Sequence, residues 1–381
     1  MDKRKIFTYC SAKLGMFVML TLYAGVLGGC GKQTSSSVDE KQASETQEVV
    51  QQSEAEQEES DILTSPAEET QIEEQPQVQS ITITATGDCT LGAAQIHSYE
   101  GSFHAYYDKY GEDYFFEGVR DIFSTDDFTL INLECVLTES DNRVDKTYNL
   151  KGRPEYVGIM TSGSVEGCSL GNNHSRDYGE ESLADTEKNL DGANIIYGYN
   201  EHTSVFTTKT GEKIGVVSAS LLSQSGEMEN YIRDGIAQLR EQGADIIIAC
   251  CHWGIEREYY PNAYQKETAH KIIDWGADLV IGSHPHVLQG IAYYKDKPVF
   301  YSLGNFIFNQ SIPKTAVVKV TIDDESGPVI QLLAATASNA RTVACEGTQK
   351  TGIYDYLENI SNGISIDDNG ILSQTVQSSS D

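Results

Sequence analysis

The chain has 381 residues, of which 39% are hydrophobic and 22% charged, with a formal net charge of −30. That length and apolar content suffice for a large core. The acidic balance excludes recognition of a nucleic acid through its phosphates, so no nucleic-acid partner is expected.

The basic start "MDKRK" precedes "LGMFVMLTLYAGV", an apolar run of 13 residues from Leu14 to Val26. As a helix it would reach about 20 Å, short of the ~30 Å hydrocarbon core, which suits a signal peptide better than a permanent span. It ends in "LGGC", which resembles the lipobox of bacterial lipoproteins and implies lipidation at Cys30. Residues 1–30 are therefore expected to be a lipoprotein signal peptide, and the protein to be lipid-anchored on the extracytoplasmic face of the cell membrane. Residues 31–80 are read as a disordered acidic linker: between Lys32 and Ser80 lie 13 acidic residues and two lysines, with few large apolar side chains. Such a segment cannot bury enough surface to offset its ordering entropy.

Beyond the linker, "SITITATGD" alternates apolar and polar residues and breaks at Gly87-Asp88, as a strand leaving into a loop does. "FTLINLEC" and the shorter "VEGCSLGNNH" repeat that form, and residues 179–191 have helical spacing before the strand "ANIIYGYN". Next come the strand "KIGVVSAS", a helix ending at Gly243, the apolar strand "DIIIACCHWG", a helix closing on Gly276, and the strand "DLVIGSHPH". The run "GIAYYKDKPVFYSLGNF" reads as a hairpin turning at Lys295–Lys297. Two further strands, a short helix near Tyr354 to Ile360 and a last strand pair precede a polar tail, placed at 366–381. Helices alternating with strands, then hairpins, predict an α/β domain with mixed sheets over residues 81–365. The cysteines at 89, 135, 168, 250, 251 and 345 lie in or beside apolar runs, where buried free thiols are expected and pairing stays open.

In α/β sheets ligands gather at loops beyond the carboxyl ends of strands. Here those loops carry Asp88, then Glu134, then Asn173 with His174, then His252, then His284 and His286. Each has a lone pair fit for a divalent cation: carboxylate or amide oxygen, or imidazole nitrogen. Each also has an ordinary role open to it in a turn, an ion pair or the core; five strand-ends with seven such residues is what points to one or two divalent metal ions (manganese, zinc or iron). Such a site supports metal-assisted attack on an ester or amide, with a carboxylate bridging two cations. His174 is placed for proton donation, and Asp177 for orienting it. Asn305 in "SLGNF" follows another strand and faces either the site or a turn. His270 is expected to pack, and the tyrosines of "REYYPNAY" to line a groove or cover a helix.

The order GD, acidic residue, GNNH, H and GSHPH resembles the calcineurin-like metallophosphoesterases. The strings "ATGDCTLG", "INLECVLT", "LGNNHSRDYG", "CHWGIEREYYPNAYQKETAHKIIDWGADLVIGSHPHVLQGI" and "FYSLGNFIF" are more similar to the CapA family of bacterial poly-γ-glutamate capsule synthesis proteins, over roughly residues 81–360. That resemblance implies a four-layer α/β-β/α sandwich of the metallo-dependent phosphatase type with two mixed sheets. It implies ligands Asp88, Glu134 and His286 for one metal and Glu134, Asn173, His252 and His284 for the other, with His174 catalytic. Its implied partners are the anionic polymer poly-γ-glutamate or its synthase subunits, and the membrane through the lipid anchor. Two positions depart from the phosphoesterase pattern: Thr90 stands where those enzymes place a histidine, and Glu134 where they place the bridging aspartate. The expected function is a surface-anchored, metal-dependent, hydrolase-like role in polymer synthesis, export or attachment. The alternatives are a non-catalytic accessory subunit of a membrane polymer synthase and a metallophosphatase.

Overall fold

A computed structural model of the chain describes residues 80–94, 98–323 and 328–375. The signal peptide with Cys30, the linker up to residue 79 and the last residues of the tail lie outside them.

The chain is a mixed α/β protein built around two large sheets. The eight-stranded first sheet runs in the order Arg341–Ala344, Val329–Ser338, Ile312–Asp323, Ser80–Cys89, Phe128–Leu133, Gly167–Ser169, Ile196–Gly198, and Asn305–Ile307 also pairs with Ser80–Cys89. The six-stranded second sheet runs Ile291–Tyr294, Lys297–Phe300, Leu279–Ser283, Ile246–His252, Lys213–Ser220, Ser204–Thr207. In both, the strands that carry candidate residues are parallel neighbours, and the antiparallel hairpins lie toward the edges. Parallel pairing puts the carboxyl ends side by side: Asp88 is opposite Asn132, and His252 opposite Ser283.

Period-two alternation sorts the side chains of each strand to opposite faces. Leu130 and Ile248 join one core shared by strands of both sheets, together with Ile83 and Ile281. Their neighbours point the other way. Ile131 packs with Phe103, Phe116 and Leu183, and Ile247 with Ile236 and Ile272. Helices thus cover the outer face of each sheet: Phe103–Tyr110 and Gly179–Gly192 on the first, Gly226–Glu241 and Ala263–Asp274 on the second. The last of these starts with a capping box, in which Asn262 accepts from the Gln265 amide and Gln265 reaches back to the Asn262 amide. Such caps contribute about 1 kcal/mol.

The elements fall close to their expected places. The helix expected near Tyr354 begins earlier, at Gly347. The last strand pair is Ile364–Ile366 with Leu372–Gln374, antiparallel, and Leu372 is buried in the core. All six cysteines of the domain are free and buried. His270 stacks on Tyr294 with ring centroids 3.9 Å apart.

Gly87 of the "GD" pair is required by closeness of approach. A Cβ there would stand 1.8 Å from the carbonyl oxygen of Gly304, and the Asp88 amide donates to that same oxygen at 2.8 Å. Gly87 lets the Asn305 strand lie directly against the Asp88 strand, while a Cβ on Gly304 would stand 2.9 Å from the Val287 backbone.

Candidate metal centre

The structure brings all eight predicted residues to one place. Glu134 is fully buried at its centre, just past the strand Phe128–Leu133. Its Oε2 lies 3.8 Å from His286 Nδ1, and that nitrogen lies 3.1 Å from Asp88 Oδ2. On the other side, Glu134 Oε1 lies 3.6 Å from His252 Nε2, which in turn is 2.7 Å from Asn173 Oδ1. His284 sits between the two groups. Its ring is 4.8 Å from that of His252 and 5.8 Å from that of His286. Donor atoms of Glu134, His284 and His286 all lie within 4.8 Å of one another.

Several donors are buried with no hydrogen-bond partner: both oxygens of Glu134, Asp88 Oδ2 and His284 Nδ1. A buried polar atom left unpaired costs about 1–3 kcal/mol, and more when charged. Four such atoms converging on one place fit a divalent cation: the donor types match and the unmet demand is electrostatic. The residues that would hold it are Asp88, Glu134, Asn173, His252, His284 and His286. Burial, and then the charge of Asp88, push the Glu134 carboxyl well above its usual range. Burial, and then the neighbouring histidines, hold His252 well below its usual range, and His284 is lowered chiefly by burial, so both imidazoles stay neutral as ligands must. His286 goes the opposite way. Burial would lower it, but the charges of Glu134 and Asp88 raise it to about 10, so without a cation the ring itself supplies the positive charge that the carboxylates demand.

Backbone strain accompanies the arrangement. The strand Leu279–Ser283 stops before Pro285, and His284 and His286 have φ of 94° and 59°, a region that side chains enter at a cost.

His174 stands to one side. Its Nδ1 donates to Asp177 Oδ2 at 2.7 Å, and its Nε2 lies 4.0 Å from Glu134 Oε1. Asp177, almost fully buried, also accepts from the Leu150 amide. Pairing at Nδ1 leaves Nε2 facing the site as the working nitrogen.

Four supporting residues were not foreseen. Asn132 donates to Asp88 Oδ1 at 2.9 Å and so fixes which oxygen faces the site. Asn172 turns inward onto Asn132 and the Leu133 carbonyl, leaving Asn173 as the outward amide. Ser283 Oγ lies 2.9 Å from His252 Nδ1. Lys146 pairs with Asp177 and donates to the Asn173 carbonyl at 2.9 Å. Asn132 had a signal, a polar residue in the run "LINLEC"; Lys146, 27 residues before Asn173, had none.

A family model described as "Bacterial capsule synthesis protein PGA_cap" matches residues 82–310. The chain belongs to that family. Among curated relatives, "Capsule biosynthesis protein CapA" of Bacillus anthracis is 27% identical over 283 residues, covering 67% of each chain. "PGA biosynthesis protein CapA" of Bacillus subtilis (strain 168) is 28% identical over 225 residues, covering 54% of this chain; the match spans 59% of that relative's length. Among solved structures, a hypothetical protein from Thermus thermophilus is similar over 67% of this chain and 99% of its own, at 15% identity. Its TM-score is 0.38, too loose a likeness to bear on the fold.

Proposed function

We propose that the protein is a metal-dependent hydrolase-like member of the PGA_cap family, acting on poly-γ-glutamate or its synthase subunits in synthesis, export or attachment of the capsule polymer. In this reading the two sheets and their outer helices form the four-layer sandwich of the metallo-dependent phosphatase type, and lipid on Cys30 holds the domain at the extracytoplasmic membrane face. The observation that carries it is Glu134: a fully buried carboxylate with both oxygens unpaired, one turned toward Asp88 and His286 and the other toward Asn173 and His252.

Bound divalent metal at such a centre acidifies water and steadies charge on the attacked oxygen. The chain's own residues do the rest. Asp177 fixes the Nδ1–H tautomer of His174, so its bare Nε2, facing the reacting region, takes a proton from the attacking water and then gives it to the departing amine of a γ-glutamyl amide. Asn132 and Ser283 hold Asp88 and His252 in position. In the test, purified full-length protein is incubated with poly-γ-glutamate and manganese or zinc, and polymer length is followed by gel filtration. The proposal expects shortening that a chelator abolishes and that His174→Ala abolishes while metal stays bound. No shortening with any metal, by a protein that binds metal, would remove the hydrolase reading.

A second reading, a non-catalytic accessory subunit, is favoured by Thr90. Its hydroxyl donates to the Glu134 backbone carbonyl at 3.4 Å, so it does not stand in for the histidine of the phosphoesterases. That reading expects capsule formation to survive His174→Ala.

A further inference from the structure

The first donor group, as the sequence left it, is one ligand short: Asp88, Glu134 and His286, with Thr90 hydrogen-bonded elsewhere. A different strand fills the position. Asn305–Ile307 pairs parallel with Ser80–Cys89, setting Asn305 directly opposite Asp88. Its Oδ1 lies 2.8 Å from His286 Nδ1, the nitrogen that also faces Asp88 Oδ2 at 3.1 Å and Glu134 Oε2 at 3.8 Å. One nitrogen therefore looks toward three oxygens from three separate strand-ends. Donors bonded to a common cation at about 2.1 Å stand roughly 3.0–3.4 Å apart, and these spacings bracket that range.

We propose that Asn305 is a ligand of the cation held by Asp88, Glu134 and His286, taking the place left by Thr90. This rests on the metal-dependent reading above. Asn305 could instead serve only to orient His286, but the geometry argues against it. Orientation needs a proton on Nδ1, and Nδ1 is the nitrogen turned toward the carboxylates. Once that nitrogen ligates it has no proton to give, and the Asn305 oxygen is left facing the same cation. The glycine contact explains how the residue gets there: Gly87, lacking a Cβ, allows its backbone to touch that of Gly304, one residue before Asp88 and Asn305. The resulting group has three oxygens and one nitrogen. The second group, Asn173, His252, His284 and the other Glu134 oxygen, has two of each. The first therefore favours harder cations such as manganese or magnesium, and the second zinc or iron.

The test is equilibrium dialysis of the full-length protein against manganese and zinc together, with bound ions counted by plasma mass spectrometry and folding followed by circular dichroism. Wild type is expected to bind two ions. Asn305→Ala weakens one of them by at least about 100-fold and leaves the other unchanged, since loss of even an outer partner costs 10–100-fold. Thr90→Ala keeps both. Asn305→Asp keeps an oxygen donor and adds charge, so it binds that ion at least as tightly as wild type; this variant decides the matter should Asn305→Ala misfold. The proposal is overturned by a single ion in wild type, by unchanged affinities in Asn305→Ala, by loss of an ion in Thr90→Ala, or by weaker binding in Asn305→Asp. A wild-type protein that binds no ion overturns the metal-dependent reading itself.

Discussion

His174 donates from Nδ1 to Asp177 Oδ2 over 2.7 Å while its Nε2 points toward Glu134 Oε1, 4.0 Å away. The pair fixes the tautomer and leaves one nitrogen to work at the site. Asp177→Asn keeps the shape and removes the acceptor charge. Turnover of poly-γ-glutamate is expected to fall at least about 100-fold, the contribution of a placed acid, with bound metal per chain unchanged. Nitrogen-15 spectra of the His174 ring should show the Nδ1–H tautomer in wild type and a mixture in the variant; an unchanged tautomer contradicts the assignment.

Lys146 supports the same pair from outside. Its ammonium, partly exposed, is paired with an Asp177 side chain that is 1% exposed. Replacing it by methionine leaves a buried carboxylate with one partner fewer. Breaking a fully buried pair costs about 3–5 kcal/mol; with one side in solvent, about 2 kcal/mol is expected for Lys146→Met. Urea unfolding measures it, and Lys146→Arg should recover most of the loss.

Gly87→Ala tests the contact that sets Asp88 beside Asn305. Backbone stands 1.8 Å from the added carbon, and no rotamer change relieves that clash. Destabilisation of about 3 kcal/mol or more is expected, with loss of metal binding in whatever folds. Gly226→Ala, with nothing near its Cβ and no positive φ, is the control for the substitution without the clash.

Glu166 gives a pH dependence away from the site. Burial raises its carboxyl to about 7, against the Thr129 amide, which donates to it at 2.8 Å and holds it down. A carboxyl raised on folding contributes full stability below the unfolded value of about 4.5, and that contribution fades as pH rises through about 7. Glu166→Gln keeps an acceptor for Thr129 and does not titrate. Relative to wild type, it should gain about 1–2 kcal/mol between pH 4.5 and 7.5, allowing for partial exposure. Melting temperatures of both proteins across that range check it; a constant difference contradicts it.

Much of the site was legible because parallel strands end in loops at one edge, and Asp88, Glu134, Asn173, His252, His284 and His286 are each the first or nearly the first polar residues past an apolar run. Strand order could not be read that way. Asn305 looked like a turn residue because its neighbour, Asp88, is more than two hundred positions away and joined to it only through sheet pairing. Lys146 reaches Asp177 from a stretch without periodicity. The segment 98–126 went unassigned because its helix Phe103–Tyr110 is only eight residues long and half aromatic, so its spacing carries little signal. Tertiary packing of Phe103, Phe115 and Phe116 decides it.

The central claim is that Glu134 is a buried carboxylate awaiting a cation. Isothermal titration of metal-free full-length protein with manganese, beside Glu134→Gln, tests it most directly. The account predicts tight binding by wild type, and loss of that binding in a variant that stays folded. Equal metal affinity in the two proteins, or none in wild type, would contradict it.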